Sequence, residues 1–348
     1  MKRRREDDPR RILVIRLSAM GDVLLVTPLI RMLKNRFPRT EIDFLVKQHF
    51  EPLLRYNRHL HRVLTLSPER GFSGFWGILR RIREGGYDRV VDVQVNIRST
   101  LFRFLSGVRE RVRCKTNRWK RFLLVRLKLD VYGRGKPIPL RYLDSVSQWG
   151  VVDDGLGLEL EVEEEVERSL SLDLKRRGMK RGERIVALAP GAGRATKRWL
   201  AEGFAEVGCY FGRKGNRVVL VGGEGDQEVC GEVARRMDPP PWDFAGELSL
   251  QETAALLSKS EILVSNDTGV MHVGSALGKP VVAIFGPTTH HLGFVPFRTS
   301  SIVVEKTLSC RPCSYHGTDK CPKGHFRCMK EIRSMDVIRA VEELLRKE

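Results

Sequence analysis

Four short stretches each join an apolar run to a glycine-bearing turn and a charged side chain. The first is Arg16-Leu17-Ser18-Ala19-Met20-Gly21-Asp22. Gly21 permits close backbone approach, and the Asp22 carboxylate could take a proton from a substrate hydroxyl or cap the helix that follows. The second runs from Pro190 through Gly191, Ala192, Gly193 and Arg194 to Lys197 and Trp199. Its glycines suit backbone contact with a phosphate, and Lys197 could neutralise one. In the third, Val221-Gly222-Gly223-Glu224-Gly225-Asp226, a carboxylate at a strand end could accept from ribose hydroxyls, or Glu224 could be an exposed loop acid. The fourth, Ile262 to His272, contains Asn266-Asp267-Thr268-Gly269 where an apolar run passes into a helical pattern. Free N–H groups at that helix start, Thr268 and Gly269 among them, form an anion site fit for a diphosphate. His272, one turn in, would either touch the ligand or pack the helix. The Asp-Thr-Gly triplet also occurs in aspartic proteases, but that chemistry needs a second Asp in an all-β setting, which these flanks do not offer.

A fifth group is Cys310, Cys313, Cys321 and Cys328, four of seven cysteines within 19 residues. An odd cysteine count without a secretory leader fits a reducing cytosol, where clustered thiols bind metal rather than pair as disulfides. Four thiolates leave no open coordination position, so the expected metal, zinc or iron, is structural. His316 and His325 could replace a ligand, and four free thiols in a loop remain the plainer alternative.

These turns need a scaffold that presents them. The first half reads as a strand at 12–15, a helix at 23–37, and strands at 42–46 and 90–95. The second half repeats the alternation: strands at 185–188, 218–221, 262–264 and 281–285, and helices at 200–211, 228–237, 250–259 and 269–277. A last helix spans 334–346. Such alternation implies parallel sheets covered by helices, hence an α/β chain of two doubly wound domains whose ligands sit beyond the carboxyl ends of the strands. The expected division is 1–165, 166–333 and a closing helix at 334–348, with the acidic stretch Glu159 to Glu167 as the link.

Composition narrows the classes. The chain has 348 residues, 41% hydrophobic and 30% charged, which is neither disordered nor fibrous. No apolar run reaches the ~18 residues of a membrane helix, and no leader precedes Ile12, so a cytoplasmic location is expected, peripheral at most. The net charge of +19 is one-sided: residues 1–150 hold 34 Lys and Arg against 14 Asp and Glu, and the remainder 28 against 29. Arg98 to Arg141 alone carries 14 basic residues against Glu110 and Asp130. Its partner would be nucleic acid, an anionic lipid surface or a polyanionic substrate.

Taken together, the opening RLSAMGDVLLVTPLIRMLK, APGAGRATKRWL, VGGEGD, VSNDTGVMHVGSALGKPVVAIFGPT and the cysteine-rich tail resemble the ADP-heptose:lipopolysaccharide heptosyltransferases of glycosyltransferase family 9. The resemblance covers nearly the whole chain. It implies a GT-B architecture, two Rossmann-like domains facing a central cleft, and an inverting transfer of heptose from ADP-heptose to an inner-core lipopolysaccharide acceptor without a catalytic cofactor. Carried over residue by residue, Asp22 matches the general base and Lys197 the lysine that meets charge on the departing diphosphate. Glu224 matches the ribose-binding acid. Asp267, Thr268 and Gly269 match the sugar and diphosphate signature with His272 beside it, and Gly193 joins the donor contacts. Ser18, Gly21 and Arg98 are the expected acceptor contacts. Ala192, Gly193 and Arg194 stand where some members place hydroxyls, which leaves backbone rather than side-chain contacts to phosphate there. Similar cysteine clusters occur in part of the family. An acceptor bearing carboxylates and phosphates at an anionic bilayer suits the basic stretch. Two alternatives are a related glycosyltransferase with another nucleotide sugar or acceptor, protein included, and a nucleic-acid-binding protein with a four-cysteine metal module. The second leaves Asp22, Lys197, Glu224 and Asp267 without a role.

Overall fold

The computed structural model describes residues 8–67, 69, 71–116, 118–129, 131 and 135–347. Met1 to Asp7 and Asp130, which entered the charge and leader readings above, lie outside the described residues.

The first half builds β1 (Arg11–Ile15), α1 (Met20–Leu24), α2 (Thr27–Arg36), β2 (Glu41–Lys47), β3 (Arg62–Leu66), α3 (Gly71–Glu84), β4 (Arg89–Asp92), α4 (Ile97–Leu105) and β5 (Glu110–Arg113). The strands form one parallel sheet in the order β3-β2-β1-β4-β5. Its central strand is apolar at four consecutive positions, Ile12 to Ile15, because helices cover both faces. Leu13, Ile15, Leu45 and Val90 meet Ile78, Leu79 and Ile82 of α3 and Phe102 of α4 in the core on one of these faces.

After α5 (Arg118–Arg126) and α6 (Ile138–Asp144), the second half sets α7 (Glu164–Arg176), β6 (Ile185–Ala189), α8 (Ala201–Arg213), β7 (Arg217–Leu220), α9 (Gln227–Arg235) and β8 (Trp242–Asp243). It continues with α10 (Leu250–Ser258), β9 (Ile262–Asn266), α11 (Gly269–Ala276), β10 (Val281–Phe285), β11 (Ser301–Glu305), α12 (Arg327–Lys330) and α13 (Ser334–Leu345). This sheet is also parallel, in the order β11-β10-β9-β6-β7-β8. Each sheet has its switch point beside the first strand of its half, and both site turns that follow those strands lie there.

Several elements depart from expectation for physical reasons. The helix read as 23–37 is two helices, since Pro28 in the first turn of α2 cannot donate to a preceding turn. The strand read as 90–95 stops at Asp92, whose Oδ1 accepts from the amides of Gln94 at 3.0 Å and Val95 at 2.9 Å and turns the chain. Within the acidic link, α7 already begins at Glu164, with Glu164, Glu165 and Glu167 in its first turn where the dipole favours negative charge.

The chain divides into two units by its contacts. One holds the chain through Thr116 with Ile138–Glu161; the other holds Asn117–Pro137 with Val162–Glu348. The division falls between Glu161 and Val162 rather than at 165, and the first half gives up an excursion. The excursion 117–137, from the basic half, belongs with the second unit; its Lys128 Nζ donates to the carbonyl of Cys310 at 2.9 Å and to that of Pro312 at 2.5 Å. The last helix packs as a closing helix: Val337, Ile338, Val341 and Leu344 of α13 are buried in the second unit's core with Trp199 and Phe204.

Candidate active site

In the first unit, the turn after β1 carries Asp22 into the first turn of α1. Its carboxylate is half-buried, and its Oδ2 lies 2.6 Å from Arg16 Nη2 and 3.4 Å from the amide of Ala19. Asp22 is thus not the N-cap, which is Ala19, but the third residue of α1, from where its carboxylate reaches back to the Ala19 amide. Arg16 is fixed from behind by the carbonyl of Val93, which accepts from Nη1 at 2.9 Å. Burial works against the Arg16 charge, yet Tyr142, Asp22 and Cys114 outweigh it and the guanidinium pKa is raised. Tyr142, fully enclosed, has its phenol pushed up by burial, and burial lifts the Cys114 thiol to about 11. Gln94 Oε1 accepts from the amides of Leu17 at 2.9 Å and Ser18 at 3.2 Å and so shapes the turn. Gly21 is buried in α1, Ser18 is half-buried, and Arg98 stands exposed in the first turn of α4. Among the described residues no hydrogen bond or ion pair joins Arg98 to the Asp22 turn.

In the second unit, the structure brings three of the sequence-predicted turns together. Lys197 Nζ lies 2.8 Å from Asp267 Oδ2, and the Thr288 hydroxyl donates to that same oxygen at 2.7 Å. Asn266 ties the turns: its Oδ1 accepts from the Trp199 amide at 3.1 Å, and its Nδ2 donates to the carbonyl of Pro190 at 2.8 Å. Asp226 ties the third. Its Oδ2 accepts from the Gly223 amide at 3.1 Å, and a Cβ on Gly191 would meet the Asp226 carboxyl at 2.1 Å, so only glycine fits between these turns. Thr268 is the N-cap of α11 without a side-chain cap of its own; its hydroxyl is 3.4 Å from Ser265 Oγ. The first amides of a helix have no acceptor within it, and those of α11 begin at Gly269, beside Asp267. Gly193 and Glu224 are exposed, Gly193 with open space beside its Cα, whereas His272 is buried in α11.

The Lys197 turn is clasped by the cysteine-rich loop. Thr196 and Thr318 exchange bonds: the Thr196 amide and hydroxyl donate to the Thr318 carbonyl at 3.0 and 2.6 Å, and the Thr318 amide donates to Thr196 Oγ1 at 2.7 Å. Gly317, in the left-handed region at φ +79°, lets the loop press on the Lys197 stem. Arg311 buttresses the far side. Its guanidinium donates to the carbonyls of Gly286 and Lys306, to that of Thr288 at 2.8 Å, and to Glu305 at 2.7 Å. Cys310, Cys313, Cys321 and Cys328 are free thiols. Burial raises the Cys313 thiol, with Cys310 and Cys321 adding to the rise, and burial lifts Cys328 to about 11. Yet among the described residues no group of three or more His, Cys, Asp or Glu side chains is arranged to hold a metal. The thiols are neighbours, but they do not converge as the expected ligand set.

Arg16, Gln94, Asn266, Asp226, Thr288 and Arg311 were not assigned roles from sequence. Arg16, Asn266, Asp226 and Thr288 stood inside motifs and Arg311 inside the cysteine-rich tail; nothing local marks Gln94, because its partners Leu17 and Ser18 lie more than 70 residues away.

The profile of Glycosyltransferase family 9 (heptosyltransferase) matches residues 75–322. This chain belongs to that family. It is 27% identical to lipopolysaccharide heptosyltransferase 2 of Salmonella typhimurium over 97% of its own length and 99% of the relative's. The glycosyl transferase family 9 structure from Veillonella parvula superposes with a TM-score of 0.83 at 26% identity, covering 97% of this chain and 98% of the other. The E. coli heptosyltransferase WaaC, solved with ADP-2-deoxy-2-fluoro heptose, shares the fold at a TM-score of 0.65 and 18% identity over 96% and 99% of the two chains. The two parallel sheets are those of the family's GT-B fold, and the family is one of enzymes.

Proposed function

We propose that this family member is an inverting glycosyltransferase that moves heptose from ADP-heptose to an inner-core lipopolysaccharide acceptor. One observation carries the donor half: Lys197 and Asp267 are paired at 2.8 Å beside the N-terminus of α11, at the switch point of the second sheet. A diphosphate bound there meets free amides and an ammonium already held in place. Glu224, exposed on its turn, is free to accept from ribose hydroxyls, and Gly193 offers backbone. Heptose as the sugar follows the family's own description and the Salmonella relative's name, and the donor follows the analogue held by WaaC.

The acceptor half rests on Asp22. An acceptor hydroxyl oxygen attacks the anomeric carbon from the face opposite the diphosphate while its proton passes to the Asp22 carboxylate. The bond to the diphosphate breaks with its electron pair, and Lys197 meets the new charge. Arg16 orients the carboxylate for this proton transfer, and Ser18, Gly21 and Arg98 line the acceptor side. A structural zinc or iron held by Cys310, Cys313, Cys321 and Cys328 belongs to the proposal only for a loop that tightens on binding it. Metal analysis of protein purified without chelator decides that point: far below one metal per chain rejects it.

The test is a transfer assay. Purified protein with ADP-heptose and a heptose-deficient core acceptor should yield product heavier by one heptose, and Asp22→Asn should lower the rate about 10³-fold while its melting temperature holds. No transfer together with no thermal stabilisation by ADP-heptose would remove the heptose assignment.

A further inference from the structure

α3 and α4 pack side by side on one face of the first sheet, with Phe75 stacked on Phe102 at 4.4 Å between ring centres and Arg83 Nε donating to the Leu105 carbonyl at 2.8 Å. The inward side of α4 is Ser99, Phe102 and Arg103, all buried. Its opposite side is also apolar: Ile97, Leu101 and Phe104, at the i, i+4, i+7 spacing of one stripe, are 84%, 44% and 54% exposed. α3 adds Phe72 at 85% and Trp76 at 54%, four residues apart, on the flank that also carries Arg83. A surface helix of a water-soluble protein places polar groups there, so five large apolar side chains on two adjoining helices mark an interaction surface.

Charge decides the occupant. Residues 71–115 hold ten Lys and Arg against four Asp and Glu. Each of those four acids is engaged: Glu84 with Arg80, Asp88 with the Arg10 and Arg11 amides, Asp92 with Arg103 and Ser99, and Glu110 with Arg89. The guanidiniums of Arg103 and Arg111 lie over the Phe104 ring, 4.3 and 5.2 Å from its centre. Large apolar groups beside exposed arginines, Arg83 and Arg98 on the same two helices and Arg111 against Phe104, match a bilayer surface with anionic headgroups, the acyl boundary taking the apolar side chains and the phosphates taking these guanidiniums, while the buried Arg103 stays with Asp92. We infer that the outer face of α3 and α4 is a membrane-docking surface that inserts Phe72, Trp76, Ile97, Leu101 and Phe104 at the headgroup level of an anionic bilayer. This extends the lipopolysaccharide reading above by naming where the protein meets the membrane that holds its acceptor, and it locates the anchor in an apolar stripe rather than in the basic stretch alone.

Co-sedimentation with vesicles of equimolar phosphatidylglycerol and phosphatidylethanolamine tests it. Trp76→Ser/Ile97→Ser/Leu101→Ser should lower the partition coefficient about tenfold or more, and Leu172→Ser, an equally bare leucine on α7, should leave it unchanged. Brominated lipid should quench the wild type more than Trp76→Phe, a readout that needs no destabilised variant. Equal partitioning of the triple variant and wild type, absence of wild-type binding, or equal quenching overturns the inference. So does a change of oligomeric state in the triple variant with vesicle binding intact, which would make the face a protein interface. Transfer to a lipid-free core oligosaccharide, run in parallel, separates the two readings: vesicle binding without any transfer supports the docking surface and removes the heptose assignment.

Discussion

Asp22 and Lys197 were both legible as charged residues in strand-to-helix turns, because their surroundings within ten residues of sequence carry the signal. Their working geometry was not, since it is set by residues far along the chain: Val93 behind Arg16, and Asp267 and Thr288 around Lys197. The lysine is the sharper case. Its ammonium is held by one carboxylate oxygen that also accepts from Thr288, so in the proposed function its position is fixed before a diphosphate arrives and little reorganisation is left for the reaction step. Lys197→Ala should therefore lower kcat by about 10²-fold, on the order of 3 kcal/mol, with a smaller change in KM for the donor. Lys197→Arg keeps the charge but not the compact ammonium seated on Asp267 Oδ2, and should recover only part of the loss. Steady-state kinetics with varied ADP-heptose reads both. A pure KM effect in Lys197→Ala would reassign the residue to ground-state binding.

At the scale of elements, runs that are apolar on both faces announced themselves: β10 lies on the predicted residues, and β1 and β6 extend by one. Elements with one-sided or short apolar patterns did not, among them β3, α3, β5 and the strand β11 at a sheet edge. The hidden tie between α2 and the segment before α7 is of the same kind. Arg31, buried in α2, donates through Nε to Asp154 Oδ2 at 2.6 Å and pairs with Glu159 at 2.9 Å, which straps 154–159 to the first sheet's helix layer. Partial burial works against the Asp154 charge, but Arg31 and the Leu156 amide outweigh it and hold its pKa below the usual carboxylate value. A depressed carboxylate contributes stability that is present above its unfolded pKa of about 3.9 and lost as pH falls through the folded value. Asp154→Asn should thus cost about 1 kcal/mol at neutral pH, and the gap from wild type should close below about pH 4. Urea unfolding at several pH values checks the trend; a gap that widens toward acid would contradict it.

Over the whole molecule the charge is uneven in sequence, with residues 1–150 at a net +20 and the remainder at −1, yet the structure distributes the basic stretch over both units because 117–137 folds with the second. The predicted assignment of that stretch to the first domain followed chain order, and chain order does not reveal an excursion whose docking contacts, such as Lys128 to the Cys310 carbonyl, come almost 200 residues later. The positive field is accordingly a property of the molecule rather than of one domain, and it acts through solvent over about 8 Å at physiological ionic strength. Such a field raises the encounter rate of a polyanionic acceptor and hardly touches the chemical step. For an acceptor carrying its core phosphates, kcat/KM should fall about tenfold between about 0.05 and 0.5 M NaCl, and kcat should change little. For the same acceptor with its phosphates removed, the salt slope should be less than half as steep. The donor is an anion in both assays, so its own salt dependence cancels in the comparison. Equal slopes for the two acceptors would mean that the basic surface does not act on the acceptor, and its charge would then have to be accounted for by the bilayer alone.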